Sequence, residues 1–174
     1  MRLFIGIKAG CGQQLAALQD ELKRMGRGRF TRAKNLHITI RFLGELPPSS
    51  IPALCDAIVE AGGTEFELEC GGVRLFNRGG IVSADVSGDI RQLCALHERL
   101  ESALEKRGYA RDVRAYRPHI TLARDFKASG DAPVEGIPYE SGRFTVSDVV
   151  LFESRREGGR LVYAPLYAHG LQKR

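Results

Sequence analysis

Cysteine is scarce and scattered in this 174-residue chain: Cys11, Cys55, Cys70 and Cys94 are the only four. None forms a Cys-x-x-Cys pair and none stands beside a histidine at metal-ligand spacing, which argues against zinc. Long apolar runs are missing as well. Met1 to Lys8 breaks at Ala9-Gly10 and is far too short for a signal peptide or a membrane span. Disulfides are therefore not expected. The cysteines are read as reduced, mostly buried thiols of a cytoplasmic protein that does not engage a membrane. No low-complexity tract or interdomain linker interrupts the chain, so residues 1–174 are taken as one domain, in two lobes and acting as a monomer. A net charge of +5 favours an anionic ligand, although surface lysine and arginine also serve solubility.

Histidine is equally scarce, and two of the four share one pattern. Arg32-Ala33-Lys34-Asn35-Leu36-His37-Ile38-Thr39-Ile40 recurs as Arg114-Ala115-Tyr116-Arg117-Pro118-His119-Ile120-Thr121-Leu122, with Arg, Ala, His, Ile and Thr in register. On a strand, Ile38, Ile40 and Phe42 alternate with His37, Thr39 and Arg41, and Ile120 and Leu122 alternate with His119 and Thr121. A duplicated core would copy the isoleucines alone; here the polar face is copied too. If the halves are related by a pseudo-twofold axis, two imidazoles and two hydroxyls converge on one cleft.

That set suits a phosphodiester. One neutral imidazole takes a proton from the nucleophile, a charged one protonates the departing oxygen, and threonine hydroxyls hold the non-bridging oxygens. Neither metal nor organic cofactor is required.

The periodicity predicts helices at 13–25 (Leu15, Leu18, Leu22), 51–61 (Leu54, Ile58) and 90–107 (Leu93, Leu96, Leu100, Leu104). Strands are expected at 2–8, 37–43, 66–76, 81–86 and 119–124, then a long one at 142–154 and a closing one at 159–168. Asn77-Arg78-Gly79-Gly80 reads as a hairpin turn without the Gly-Lys-Ser/Thr of a phosphate-binding loop, with Arg78 a minor substrate candidate. His97, beside a leucine stripe, and His169, near the end, read as non-catalytic. Irregular alternation with hairpins favours α+β, with two mostly antiparallel sheets around a central cleft and helices outside.

With these residues in hand, the chain resembles the two-histidine phosphoesterases, and among them the RNA 2′,3′-cyclic phosphodiesterases, or 2′-5′ RNA ligases of LigT type. The likeness rests on Asn35-Leu36-His37-Ile38-Thr39-Ile40-Arg41-Phe42-Leu43-Gly44-Glu45 and on Tyr116-Arg117-Pro118-His119-Ile120-Thr121-Leu122-Ala123-Arg124. Arg2-Leu3-Phe4-Ile5 and Leu151-Phe152-Glu153-Ser154 with Tyr163 extend it over nearly the whole length. The resemblance implies a bilobal fold with its site in the groove. It implies opening of RNA 2′,3′-cyclic phosphate ends, tRNA halves among them, to 2′-phosphates, and the reverse 2′-5′ joining. His37 would be the acid, His119 the base, and Thr39 and Thr121 the phosphoryl contacts. Arg124 matches a phosphate-binding arginine, but strict alternation aims it away from His119, so the strand must end or bulge there. Phe42 either stacks on a base or, more ordinarily, packs in the core. Arg41, cleft-facing by parity, would assist. The absence of tryptophan and the short glycine-rich segment 77–84 depart from the family's middle section, where the nucleoside would be held. A small cyclic phosphate as substrate, or a non-catalytic RNA-end-binding module, are the rival readings.

Overall fold

The computed structural model describes residues 1–76 and 80–173. In chain order the elements are β1 (Arg2–Lys8), α1 (Gly12–Met25), β2 (Gly26–Phe30), β3 (His37–Glu45), α2 (Ile51–Ala61), β4 (Phe66–Phe76), β5 (Ile81–Gly88), α3 (Ile90–Glu105), β6 (His119–Ala128), β7 (Gly142–Val146), β8 (Asp148–Glu157) and β9 (Arg160–Gly170). The fold is α+β, as expected. Arg78, with most of its turn, lies outside the described residues.

The strands run in the order β7-β4-β5-β6-β3-β1-β8-β9, with β2 also on β6, and their pairings are antiparallel. The two expected sheets are visible as two halves. Hydrogen bonding joins them into one sheet at a single residue pair, Ile38 of β3 with Ile120 of β6. Those are the same position in the two copies of the repeat. A residue that faces its own equivalent is what a twofold axis produces, so the pseudo-axis passes between these two isoleucines.

The helices cross between halves. Helix α1 leaves a strand of the His37 half and packs on β4, β6 and β7; α3 leaves a strand of the His119 half and packs near β3, beside α2. Each buries the stripe its spacing requires: Leu15, Leu18 and Leu22 on α1, and Leu93, Leu96, Leu100 and Leu104 on α3. Burying each such leucine stabilises the fold by roughly 1.5–3 kcal/mol before the entropy of ordering is subtracted.

Two expectations fail. The single strand predicted over 142–154 is two strands, broken at Ser147. β7 pairs with β4 at one end of the sheet, and β8 pairs with β1 and β9 at the other. Apolar residues continue through the break, from Phe144 and Val146 to Val149 and Val150, because both strands face core. The second failure concerns cysteine. Cys11, at the start of α1, is bonded to Cys70 of β4, with Cα atoms 6.7 Å apart and a sequence separation of 59. Packing α1 on β4 brings them together, which linear spacing does not reveal. Cys55 and Cys94 are free thiols. Among the described residues no helix is long and apolar enough to cross a membrane.

Candidate active site

The site is built first from backbone. His37 and His119 begin β3 and β6, next to the isoleucine pair that joins the halves. Carrying that antiparallel register one residue either way sets His37 opposite Thr121 and Thr39 opposite His119. Each imidazole is clamped alike: His37 Nδ1 lies 2.7 Å from the Asn35 carbonyl oxygen, and His119 Nδ1 lies 2.8 Å from that of Arg117. A carbonyl only accepts, so Nδ1 carries the proton in both rings and Nε2 is left for chemistry. In His37 that Nε2 is 3.0 Å from the Thr39 hydroxyl. Gly6 of β1 pairs with Thr39, and a Cβ there would meet the Ile38 carbonyl at 2.7 Å, so only glycine admits this close approach beneath His37.

Beyond the clamp, the two histidines differ. The His37 ring packs 4.8 Å from Phe4 and 4.9 Å from Tyr163, with Phe152 at 6.3 Å, all ring centroid distances. Phe4, Val150 and Phe152 form a small cluster of their own behind it. Burial in this cage lowers the His37 pKa below 6.5; the Asn35 carbonyl opposes the shift, and the positive fields of His119 and Arg124 add to it. Among the described residues, the His119 ring has one aromatic neighbour, Phe76 at 6.2 Å, and it opens on cavities of about 370 and 570 Å³.

The cavity of about 370 Å³ is lined by Thr39, Phe42, Arg114, Arg117, His119 and Arg124 among others. Arg124 reaches it because β6 bulges: Ser83 pairs with Thr121 and Val82 with Ala123, which skips Leu122. Leu122 and Ala123 are both fully buried, so the in-out alternation shifts by one and Arg124 emerges on the histidine side. Gln19 holds the bulge. Buried within the leucine stripe of α1, it donates from Nε2 to the Thr31 and Leu122 carbonyls at 2.7 and 2.9 Å. The only sequence signal for it was a polar residue at the i+4 position of an apolar face.

Phe42 is not core. It is 41% exposed at the cavity edge, with the Arg2 guanidinium 5.0 Å from its ring centre. Thr121 sits half-buried on β6 between Ile120 and Leu122. Arg41 does not reach the cleft as expected. Its guanidinium turns to Glu101 of α3 (Nη1 to Oε1 3.2 Å), with Asp112 at 3.8 Å and the Ala110 carbonyl accepting a hydrogen bond. Glu101 is 2% exposed, and a carboxylate that deep requires a cation, which Arg41 supplies. Glu101 also accepts the Asp112 N–H at 3.0 Å, so the pair holds the loop that leads to His119. In that loop Tyr116 stacks flat on His97 at 4.1 Å and donates to the Thr39 carbonyl at 3.3 Å. His97 is thus buried and structural. Sequence reasoning also missed Asn35 as a clamp. Its carbonyl holds His37, its side chain donates to the Leu161 carbonyl at 3.0 Å, and its Oδ1 accepts from the Tyr163 N–H at 3.3 Å. Among the described residues, no three His, Cys, Asp or Glu side chains are grouped to hold a metal ion.

Comparison with known proteins places these features in company. An RNA 2′,3′-cyclic phosphodiesterase of Escherichia coli is 30% identical over 139 residues, covering 80% of this chain and 77% of that protein. One from Geobacillus stearothermophilus is 31% identical over 138 residues, 74% of this chain but 43% of its own length, so this chain spans under half of that relative. The crystal structure of E. coli LigT with 3′-AMP superposes with a TM-score of 0.80 at 28% identity, covering 98% of this chain and 97% of that one. The model of the LigT-like phosphoesterase family matches residues 5–82 and 85–163, which takes in both histidine motifs, Phe152 and Tyr163, and the chain belongs to that family.

Proposed function

We propose that this protein opens RNA 2′,3′-cyclic phosphate ends, tRNA halves among them, by acid–base catalysis between His37 and His119, leaving a 2′-phosphate. The observation that carries the reading is the pair of matched Nδ1 clamps, which leave both Nε2 atoms for proton transfer, that of His37 beside the Thr39 hydroxyl, next to the point where the repeat pairs with itself. Three relatives are named RNA 2′,3′-cyclic phosphodiesterases, which supports the substrate class.

In the proposed reaction His119 Nε2 takes a proton from water as the oxygen attacks phosphorus. The bond from phosphorus to O3′ breaks, and His37, charged at that moment, gives its Nε2 proton to O3′. Thr39, Thr121 and Arg124 take the non-bridging oxygens, whose charge Arg124 offsets. A group whose pKa is lowered is a stronger acid once protonated, so the His37 cage favours the donor role while reducing the charged fraction of the free protein. The phosphate anion restores that fraction on binding. With a 5′-hydroxyl in place of the attacking water, the same groups join ends through a 2′-5′ linkage as O3′ leaves with the His37 proton.

Incubation of the protein with an RNA ending in 2′,3′-cyclic phosphate tests this. The expected product keeps phosphate on the 2′ oxygen, in chelator as well as without it. A 3′-phosphate product, or no turnover, sinks the assignment.

A further inference from the structure

Several arginines in this protein are neutralised by a carboxylate: Arg24 by Glu21, Arg41 by Glu101, Arg74 by Asp85, Arg107 by Glu60, Arg143 by Glu69, Arg155 by Glu157. A hollow of about 270 Å³ beside His37 is different. Arg29, Arg32, Arg124, Arg156 and Arg160 all line it. Arg29 is paired with Asp125, and Arg156 donates to the Gly159 carbonyl at 3.0 Å. Among the described residues, Arg32, Arg124, Arg156 and Arg160 form no ion pair. Four uncompensated guanidinium groups on one concave surface repel one another and create a positive field that an anion relieves.

The hollow adjoins the active site. Arg124 is a wall of both this hollow and the cavity that holds His119. Asn35, which clamps His37, and Tyr163, whose ring meets His37 edge-on, line it too. A ligand whose reacting phosphate lies between the histidines therefore has a second anion-binding surface one arginine away. Three elements far apart in sequence build it: β2 and the segment after it, β6, and the tip of the β8–β9 hairpin. A single phosphate occupies one or two guanidinium forks; four of them fit a chain of phosphates.

We propose that this arginine hollow holds the phosphodiester backbone of the RNA on the 5′ side of its cyclic end, which makes the enzyme selective for oligonucleotides over mononucleotides. The inference rests on the function proposed above and adds a subsite to it. Each phosphate bound in this way releases counterions, so the preference weakens as salt rises.

The experiment compares kcat/KM for a ribo-oligonucleotide ending in 2′,3′-cyclic phosphate with that for a 2′,3′-cyclic mononucleotide, in wild type and in Arg156→Ser/Arg160→Ser. Both positions are exposed at a hairpin end, and a thermal melt checks that the variant folds. Wild type is expected to favour the oligonucleotide by about ten-fold or more at low salt, from at least two charge-assisted contacts. The double variant should lose that preference. Its salt slope on the oligonucleotide should become shallower by about 0.7 for each phosphate contact removed. Equal rates on both substrates in wild type, or an unchanged preference in the variant, overturn the proposal. If wild type turns over neither substrate, the proposed function has failed instead. Binding of a 2′-phosphate-ended oligonucleotide then reads the hollow directly: weakening in the variant supports the subsite, and unchanged affinity overturns it. Inorganic triphosphate is the second probe. Triphosphate binding that the variant loses, with oligonucleotide selectivity intact, overturns the proposal in favour of a free polyphosphate.

Discussion

The two histidines share a clamp and differ in their walls. His37 is held among Phe4, Phe152 and Tyr163, while His119 faces open cavity with one aromatic neighbour. The motif and its backbone contact are copied; the surroundings are not. Duplication thus supplies two equivalent bases, and packing separates them by pushing one pKa down. Two of the three rings around His37 come from the β8–β9 hairpin, which pairs with β1 on the His37 half, and the third is Phe4 of β1 itself.

The sharpest way to break this comparison is to remove each ring in turn. His37→Ala and His119→Ala should each lower kcat by about two to four orders of magnitude with folding intact, as loss of a general acid or base does. A phosphodiester with a p-nitrophenolate leaving group needs no acid. On that substrate His37→Ala should recover most of its activity and His119→Ala should not; equal recovery would erase the proposed division of roles.

Next comes the pair that holds the His119 side. Glu101→Ala leaves Arg41 buried without its partner, and urea unfolding should show a loss of about 3–5 kcal/mol. A loss under 1 kcal/mol would mean that solvent reaches Arg41. The smallest effect expected is a titration. Followed by NMR in the free protein, His37 should change charge below pH 6.5, where burial disfavours the cation. Tyr163→Ala should move the midpoint up by admitting water, and Arg124→Gln should move it up by removing a positive neighbour. A midpoint already above 6.5 in the wild type contradicts the cage.

Much of this site was legible in the sequence because its chemistry is written twice. The spacing that aligned His37 with His119 also aligns Ile38 with Ile120; parity, set against the resemblance that gave Arg124 a phosphate role, required β6 to end or bulge there, and it bulges. The first helix start is one residue earlier than expected, and α2 has the expected bounds. What escaped was set by tertiary partners. Arg41 has cleft parity but answers a buried carboxylate on α3. Phe42 lies at an apolar offset yet meets Arg2 at the surface. The Ser147 break carries no glycine or proline, so alternation runs through it unmarked. The Cys11–Cys70 bond depends on a helix crossing to the other half.

That crossing order has a consequence for synthesis. Residues 37 and 39 are made well before Phe152 and Tyr163, which wall in His37 and come from the β8–β9 hairpin. A nascent chain that halts before residue 163 holds both histidine motifs and lacks the surroundings that tell them apart. The wall that sets the His37 ring apart from that of His119 is therefore completed only after both motifs have been synthesised.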